Sequence, residues 1–243
     1  MLGFDRLADR VAIAKDDRHG PLPMLLLVLT VVTGLVDAIS YLKLGHVFVA
    51  NMTGNIVFLG FAAGGATDFS VVASLAATGA FLAGALVGGR LGSRAGRHRG
   101  RFLAIASCVQ IALVGAALIV SAVVLDPSAA VASIGLIVPL ALAMGLQNAT
   151  ARRLGVPDLT TTVLTLTLTG LAADSRLVGG NSPNPGRRLA ATAAMCLGAA
   201  AGAFFLFHVG VSSVLALALV LLVAIGIASY RTSTLSEPWT VGG

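Results

Sequence analysis

The residues of this chain with most chemical capacity sit where apolar residues are expected. From Thr33 to Gly60 it reads TGLVDAISYLKLGHVFVANMTGNIVFLG, which sets Asp37, Asn51, Thr53 and Asn55 around Gly54 in an apolar stretch. Asp37 is about 15 residues into its run, roughly 22 Å along a helix rising 1.5 Å per residue. An ionisable group at that depth marks a site by default and could accept a proton or a cation. It could equally accept hydrogen bonds from backbone N–H groups of the stretch that follows, and these two roles are evenly matched. Asn51 and Asn55 are four apart, which puts them on one helix face with Thr53 off it. They could line a polar path or bind a solute through their amides, or satisfy the backbone around Gly54. In the second half, Gln147 and Asn148 close an apolar run and invite the same pair of readings.

The surrounding elements must hold these groups in an apolar medium. The chain is 57% hydrophobic and 11% charged, against about 25% charged in soluble domains, and its mean hydropathy is +0.95. Six runs approach the ~20 residues that cross a ~30 Å hydrocarbon core: Leu22–Leu42, Val71–Leu91, Phe102–Leu125, Ala130–Thr150, Leu189–Val209 and Val211–Tyr230. Two further segments are broken by polar residues and glycine, Gly45–Gly65 and Leu159–Ala173, with Gly54 and Gly170 as the expected backbone breaks. Irregular backbone at membrane depth is tolerated only when buried in protein or lining a cavity. Residues 1–20 alternate charged and apolar side chains and suit an amphipathic surface helix, and Asp126-Pro127-Ser128 forms a hinge.

The halves resemble each other. Gly34–Ala38 matches Gly145–Ala149, Met52-Thr53-Gly54 matches Leu168-Thr169-Gly170, and Ala83-Gly84-Ala85 matches Ala201-Gly202-Ala203. If the broken segments re-enter and leave on the side they came from, the arginines of residues 90–101, Arg152, Arg153, Arg176, Arg187, Arg188 and Arg231 share one side with the basic N-terminus. By the positive-inside rule that side is the cytoplasm. The expected fold is therefore an all-α integral membrane protein with about six full transmembrane helices and two broken, re-entrant segments, in two inverted repeats. The expected organisation is a polar segment 1–21, a first repeat 22–126, a second repeat 127–231 and a polar tail 232–243. Eight spans with parallel repeats are the alternative. Gly84 and Gly88, with Gly198 and Gly202, form small-xxx-small stripes for close packing between the repeats, or else for a homo-oligomer.

The run Val36-Asp37-Ala38, with Val47 to Asn55 (VFVANMTGN), resembles the signature of the YoaK-type family of bacterial multi-pass membrane proteins, a family of unknown function. Gly145–Ala149 and the threonine-rich Thr160–Gly170 resemble its second-half motifs, although Leu171 stands where a polar residue often follows the Thr-Gly pair. The resemblance implies a bacterial inner-membrane protein, and the basic residues place both termini in the cytoplasm.

The nucleophile, zinc and phosphate-loop motifs are absent from the sequence, so neither an enzyme nor a bound metal or cofactor is expected. The net charge of +6 is accounted for by orientation and lipid headgroups without nucleic acid. The leading functional reading is a transporter or channel-like protein for a small polar solute or ion. In it, Asp37, Asn51, Thr53, Asn55, Gln147 and Asn148 converge at the repeat interface. The alternative is a non-transporting membrane scaffold or stress-related partner protein.

Overall fold

Apolar runs of this length fold as helices because hydrocarbon offers no partner to an unpaired backbone group. The computed structural model describes residues 18–123, 130–162, 164–175, 178–180, 184–234 and 237–240. Among these, six helices are long and apolar enough to cross a membrane: α1 (Leu22–Lys43), α3 (Val71–Ala95), α4 (Arg99–Val123), α5 (Ala130–Leu154), α7 (Pro185–His208) and α8 (Val211–Thr232). The two short helices are α2 (Met52–Ala63) and α6 (Leu164–Ala173). At 1.5 Å per residue they reach only about 18 and 15 Å, half the hydrocarbon thickness. The expected N-terminal surface helix falls largely within residues 1–17, and the Asp126–Ser128 hinge within 124–129; both lie outside the described residues.

Helix ends differ from the apolar runs. α3 and α5 continue to Ala95 and Leu154 and α4 starts at Arg99, because a helix keeps its own hydrogen bonds beyond the hydrocarbon and long arginine side chains reach out to water. Local signals set other ends. The Ser70 hydroxyl accepts from the Ala73 N–H, 3.2 Å, at the start of α3. Pro185 opens α7, where a missing N–H costs nothing.

Contacts sort the helix ends into two sets. At one end Gly20 lies against Trp239, Gly100 against Thr232, and Arg99 donates to the Leu154 carbonyl. At the other end Ser121 and Ser212 are hydrogen-bonded, 3.0 Å, and Tyr41, His46, Phe58, Phe61 and Phe69 share a cluster of rings. That cluster fixes the course of α2. Its C-terminal half meets Tyr41 near the end of α1 and Phe69 just before α3, so the segment dips in and returns to the end it left.

Two pairs of helices run parallel in close backbone contact. A methyl group at Gly34 of α1 would sit 2.5 Å from the Met195 carbonyl of α7, and one at Gly198 would strike the carbonyl of Val31. Between α5 and α3, a methyl at Gly145 would strike the Phe81 carbonyl and one at Gly84 the Leu142 carbonyl. One turn on, Gly202 faces Ala38 and Gly88 faces Ala149, at 2.8 and 2.7 Å from an added methyl. The contacting partners correspond: Gly34 with Gly145, Gly198 with Gly84, Gly202 with Gly88. The last two pairings shift the third helix one turn from the register read in the sequence, where Gly84 was matched to Gly202. A glycine stripe of period four looks the same after a slip of four, so sequence alone cannot fix that register.

α1 is the most buried span and α5 the next, while α3 and α7 have the fewest buried residues. Leu75, Leu82, Leu86, Ile119, Leu197, Phe204 and Val220 face outward, each more than half exposed. Water would not tolerate so apolar a surface on a monomer, but lipid does.

Candidate functional site

The polar residues lie on the two central helices and on the segments that dip towards them. After α1 ends at Lys43, residues 44–51 descend without helical structure, with Gly45 at φ 98° and His46 at φ 54°. Their backbone groups need partners, and Asp37 and Asn55 supply them. Asp37 Oδ1 accepts from the N–H groups of Val49, 3.1 Å, and Ala50, 2.9 Å. Its Oδ2 accepts from the Asn51 amide. Asn55, in the first turn of α2, brackets Phe48: Oδ1 accepts from the Phe48 N–H, 2.9 Å, and Nδ2 donates to the Phe48 carbonyl, 2.7 Å. The carboxylate thus lies beside the N-terminus of α2 and holds the three residues that lead into it.

Gly54 and Gly170, expected to break the backbone, do not. Both lie inside helices, α2 and α6, and the irregular stretches come earlier, at residues 44–51 and 155–162. Positive φ falls on Gly45 and His46 in the first stretch and on Gly155, Asp158 and Thr161 in the second. The two helical glycines instead make room: a methyl at Gly54 would lie 2.6 Å from the Phe48 ring, and one at Gly170 2.7 Å from the Arg188 guanidinium.

Among the described residues, the second half keeps a neutral side-chain pair at the corresponding positions, without the backbone contacts to the segment. Asn148 of α5 accepts from the Thr162 hydroxyl and donates to the Met144 carbonyl, 3.0 Å, of its own helix. Asn148 and Thr162 therefore take the places of Asp37 and Asn51. Sequence reasoning missed a second feature here. Arg188, on the first turn of α7, donates to Asp158, 2.9 Å, in the segment before α6, and to Asp174, 2.8 Å, at its end. In the sequence Asp158 and Asp174 stand only at the edges of the second broken segment, with nothing to link them to Arg188. The usable signal was Gly170, the gap into which the guanidinium fits.

Between the two arrangements lies a polar bridge. Gln147 Nε2 donates to Thr33 Oγ1, 2.8 Å, and to the Leu29 carbonyl, 3.2 Å, tying α5 to α1. Gln110 of α4 donates to Gln147 Oε1 and to the Ala143 carbonyl, both 3.3 Å. Thr33 is one turn before Asp37 and Gln147 adjoins Asn148, so the candidate residues form a chain across the middle of the bundle and do not line a single chamber. Asn55 and Gln147 are wholly buried, and Thr53 faces outward. Asp37 and Asn51 border a cavity of about 410 Å³ between α1 and α7, walled by Gly34, Tyr41, Phe48 and Met195.

The family model described as "Protein of unknown function (DUF1275)" matches residues 25–228. The "UPF0700 transmembrane protein YoaK" of Bacillus subtilis (strain 168) is 38% identical over 150 residues, which cover 62% of this chain and 65% of that relative. No solved structure matches the chain. The residues matched by the family model reach into all six spans and include Asp37, the polar bridge and both re-entrant helices, and the chain belongs to this YoaK-type DUF1275 family of membrane proteins.

Proposed function

We propose that the protein is a bacterial inner-membrane transporter or channel-like protein for a small polar solute or ion, working at the interface of two inverted repeats, 22–126 and 127–231. The observation that carries this reading is the position of Asp37. Its carboxylate holds the re-entrant segment through Val49, Ala50 and Asn51 and also borders a cavity. A proton or cation arriving from that cavity competes with those N–H groups for the same oxygens. Releasing them frees the turn that starts α2, so occupancy of Asp37 and the position of the re-entrant helix are coupled. Opposed half-helices near the midplane are the arrangement by which many secondary transporters place their sites. The single charged member, Asp37 facing neutral Asn148, gives the pair one titratable group. No residue is assigned a catalytic role.

Both termini are proposed to lie in the cytoplasm, because the arginines among the described residues gather at one end of the bundle and Lys43 stands at the other. Reporter fusions after Gly65 and after Gly180 should report outside and inside.

The test is flux in liposomes across a panel of small solutes and ions, with and without a pH gradient. Asp37→Asn is expected to abolish the pH dependence of flux; flux identical in wild type and variant removes the coupling role. The scaffold reading draws support from Asn55 and Gln147, whose buried amides are engaged by neighbours. It predicts uniform protection of cysteines placed along residues 47–63 from a water-soluble reagent, whereas the transporter reading predicts labelling beside the Asp37 cavity.

A further inference from the structure

The parallel pairing of helices creates two corresponding cavities at opposite ends of the bundle, each walled by two helix C-termini and the start of a third. One lies between the ends of α1 and α7 and the start of α8. It measures about 450 Å³ and is lined by Leu42, Lys43, Leu206, Phe207, Gly210 and Val211. The other lies between the ends of α3 and α5 and the start of α4. It measures about 720 Å³, and four arginines line it: Arg97, Arg99, Arg152 and Arg153. The architecture supplies a cavity at both places, but four guanidinium groups at only one.

Two of these arginines are held in place. Arg99 donates to the Leu154 carbonyl and its Nη1 is 3.3 Å from Nδ1 of His19. The stem of Arg153 runs along the glycine face of α3, where a methyl at Gly92 would lie 3.3 Å from its Cδ and one at Gly96 3.1 Å from its Nε. Among the described residues, the two carboxylate ion pairs both belong to Arg188. None reaches the four arginines of this cavity. Four guanidinium groups lining one cavity, with no carboxylate partner among the described residues, suit the planar, bidentate demands of phosphate oxygens. The volume lies within the range of small-molecule sites and exceeds what one phosphate fills, leaving room for the group that carries it.

We infer that this cavity is a binding site for a phosphate-bearing anion, either the headgroup of an anionic phospholipid or a soluble phosphate compound. The site is independent of Asp37, which serves the opposite re-entrant segment. An orientation signal alone would need only positive charge near the membrane, and lysine supplies that as well as arginine. Arg152→Lys/Arg153→Lys keeps the charge and removes the forks.

The experiment follows the thermal unfolding midpoint of the purified full chain in two arms. In detergent it is titrated with inorganic phosphate or pyrophosphate against chloride of equal ionic strength. In nanodiscs it is measured in phosphatidylcholine with increasing fractions of phosphatidylglycerol. A ligand selective for the folded state raises the midpoint. A rise in the first arm identifies a soluble phosphate, and a rise in the second alone identifies a lipid headgroup. In either case the double lysine variant is expected to bind about tenfold more weakly, while Lys43→Gln at the corresponding cavity leaves the response unchanged. Arg97→Lys, between helices, repeats the comparison if the double variant does not fold. No rise in either arm, or an undiminished rise in the lysine variants, overturns the assignment.

Discussion

Replacing Asp37 separates its role as an acceptor from its role as a charge. In Asp37→Ala the N–H groups of Val49 and Ala50 lose their acceptor while their residues stay buried, at 0% and 3% exposure. Each orphaned donor costs about 1–3 kcal/mol, so the two together cost about 2–6 kcal/mol, less whatever is recovered by no longer burying a carboxylate. Asp37→Asn keeps a carbonyl oxygen at the same place. Its own amide then faces the Asn51 amide, which turns over to present its oxygen. The corresponding position already carries Asn148 and closes its own segment with it, so Asp37→Asn should stay within about 1 kcal/mol of wild type. Unfolding in mixed micelles by a denaturing detergent gives the two differences, and a cysteine at Ala50 reports the loop directly. The expected order is wild type close to Asp37→Asn, both well above Asp37→Ala, with Ala50→Cys labelled only alongside Asp37→Ala. Equal midpoints for the two variants would refute the acceptor argument. A stable Asp37→Asn protein with altered flux would show that function reads the charge and folding reads the oxygen.

Gly34→Ala and Gly145→Ala should each cost about 1–3 kcal/mol, since a methyl driven into the backbone of the parallel partner forces the helices apart. Gly79→Ala and Gly115→Ala, with nothing within 4 Å of the added carbon, should be neutral or slightly stabilising, and a matched loss in these controls would remove the close-contact argument. Gly170→Ala should displace the Arg188 guanidinium from Asp158 and Asp174. The double variant with Arg188→Gln should then be no less stable than the worse single one in the same unfolding assay, and simple additivity would contradict the contact.

Spans were legible because length and hydropathy are local properties, and the re-entrant segments because polar residues are conspicuous in an apolar run. Asp37 and Asn148 could be matched through their shared Gly-Leu-x-x-Ala frame. The partners of Asp37 were legible only as a class, loose backbone groups nearby, because no periodicity links residue 37 to residues 49–51 across a turn. Arg188 and its two aspartates were hidden for the same reason: each looks like an ordinary residue at a segment edge until the fold brings them together. Gly54 and Gly170 misled because glycine in a membrane helix signals close contact as readily as a break. The true breaks use residues such as His46, Asp158 and Thr161, whose left-handed backbone leaves no mark in composition.

The parallel pairing of α1 with α7 has a consequence for how the chain is made. α1 leaves the ribosome before the other described spans, but its glycine face is complementary to a helix that begins only at Pro185. At roughly 5–20 residues per second, α1 waits on the order of ten seconds or more for that partner, with Gly34 uncovered in the meantime while Asp37 already has its partners at residues 49–51. Neither half can assemble to completion before the other, so the bundle closes late, as two interlocked halves. The glycine face of α1 therefore meets lipid or a temporary neighbour until α7 arrives, and the final packing of the first span is among the last steps of assembly.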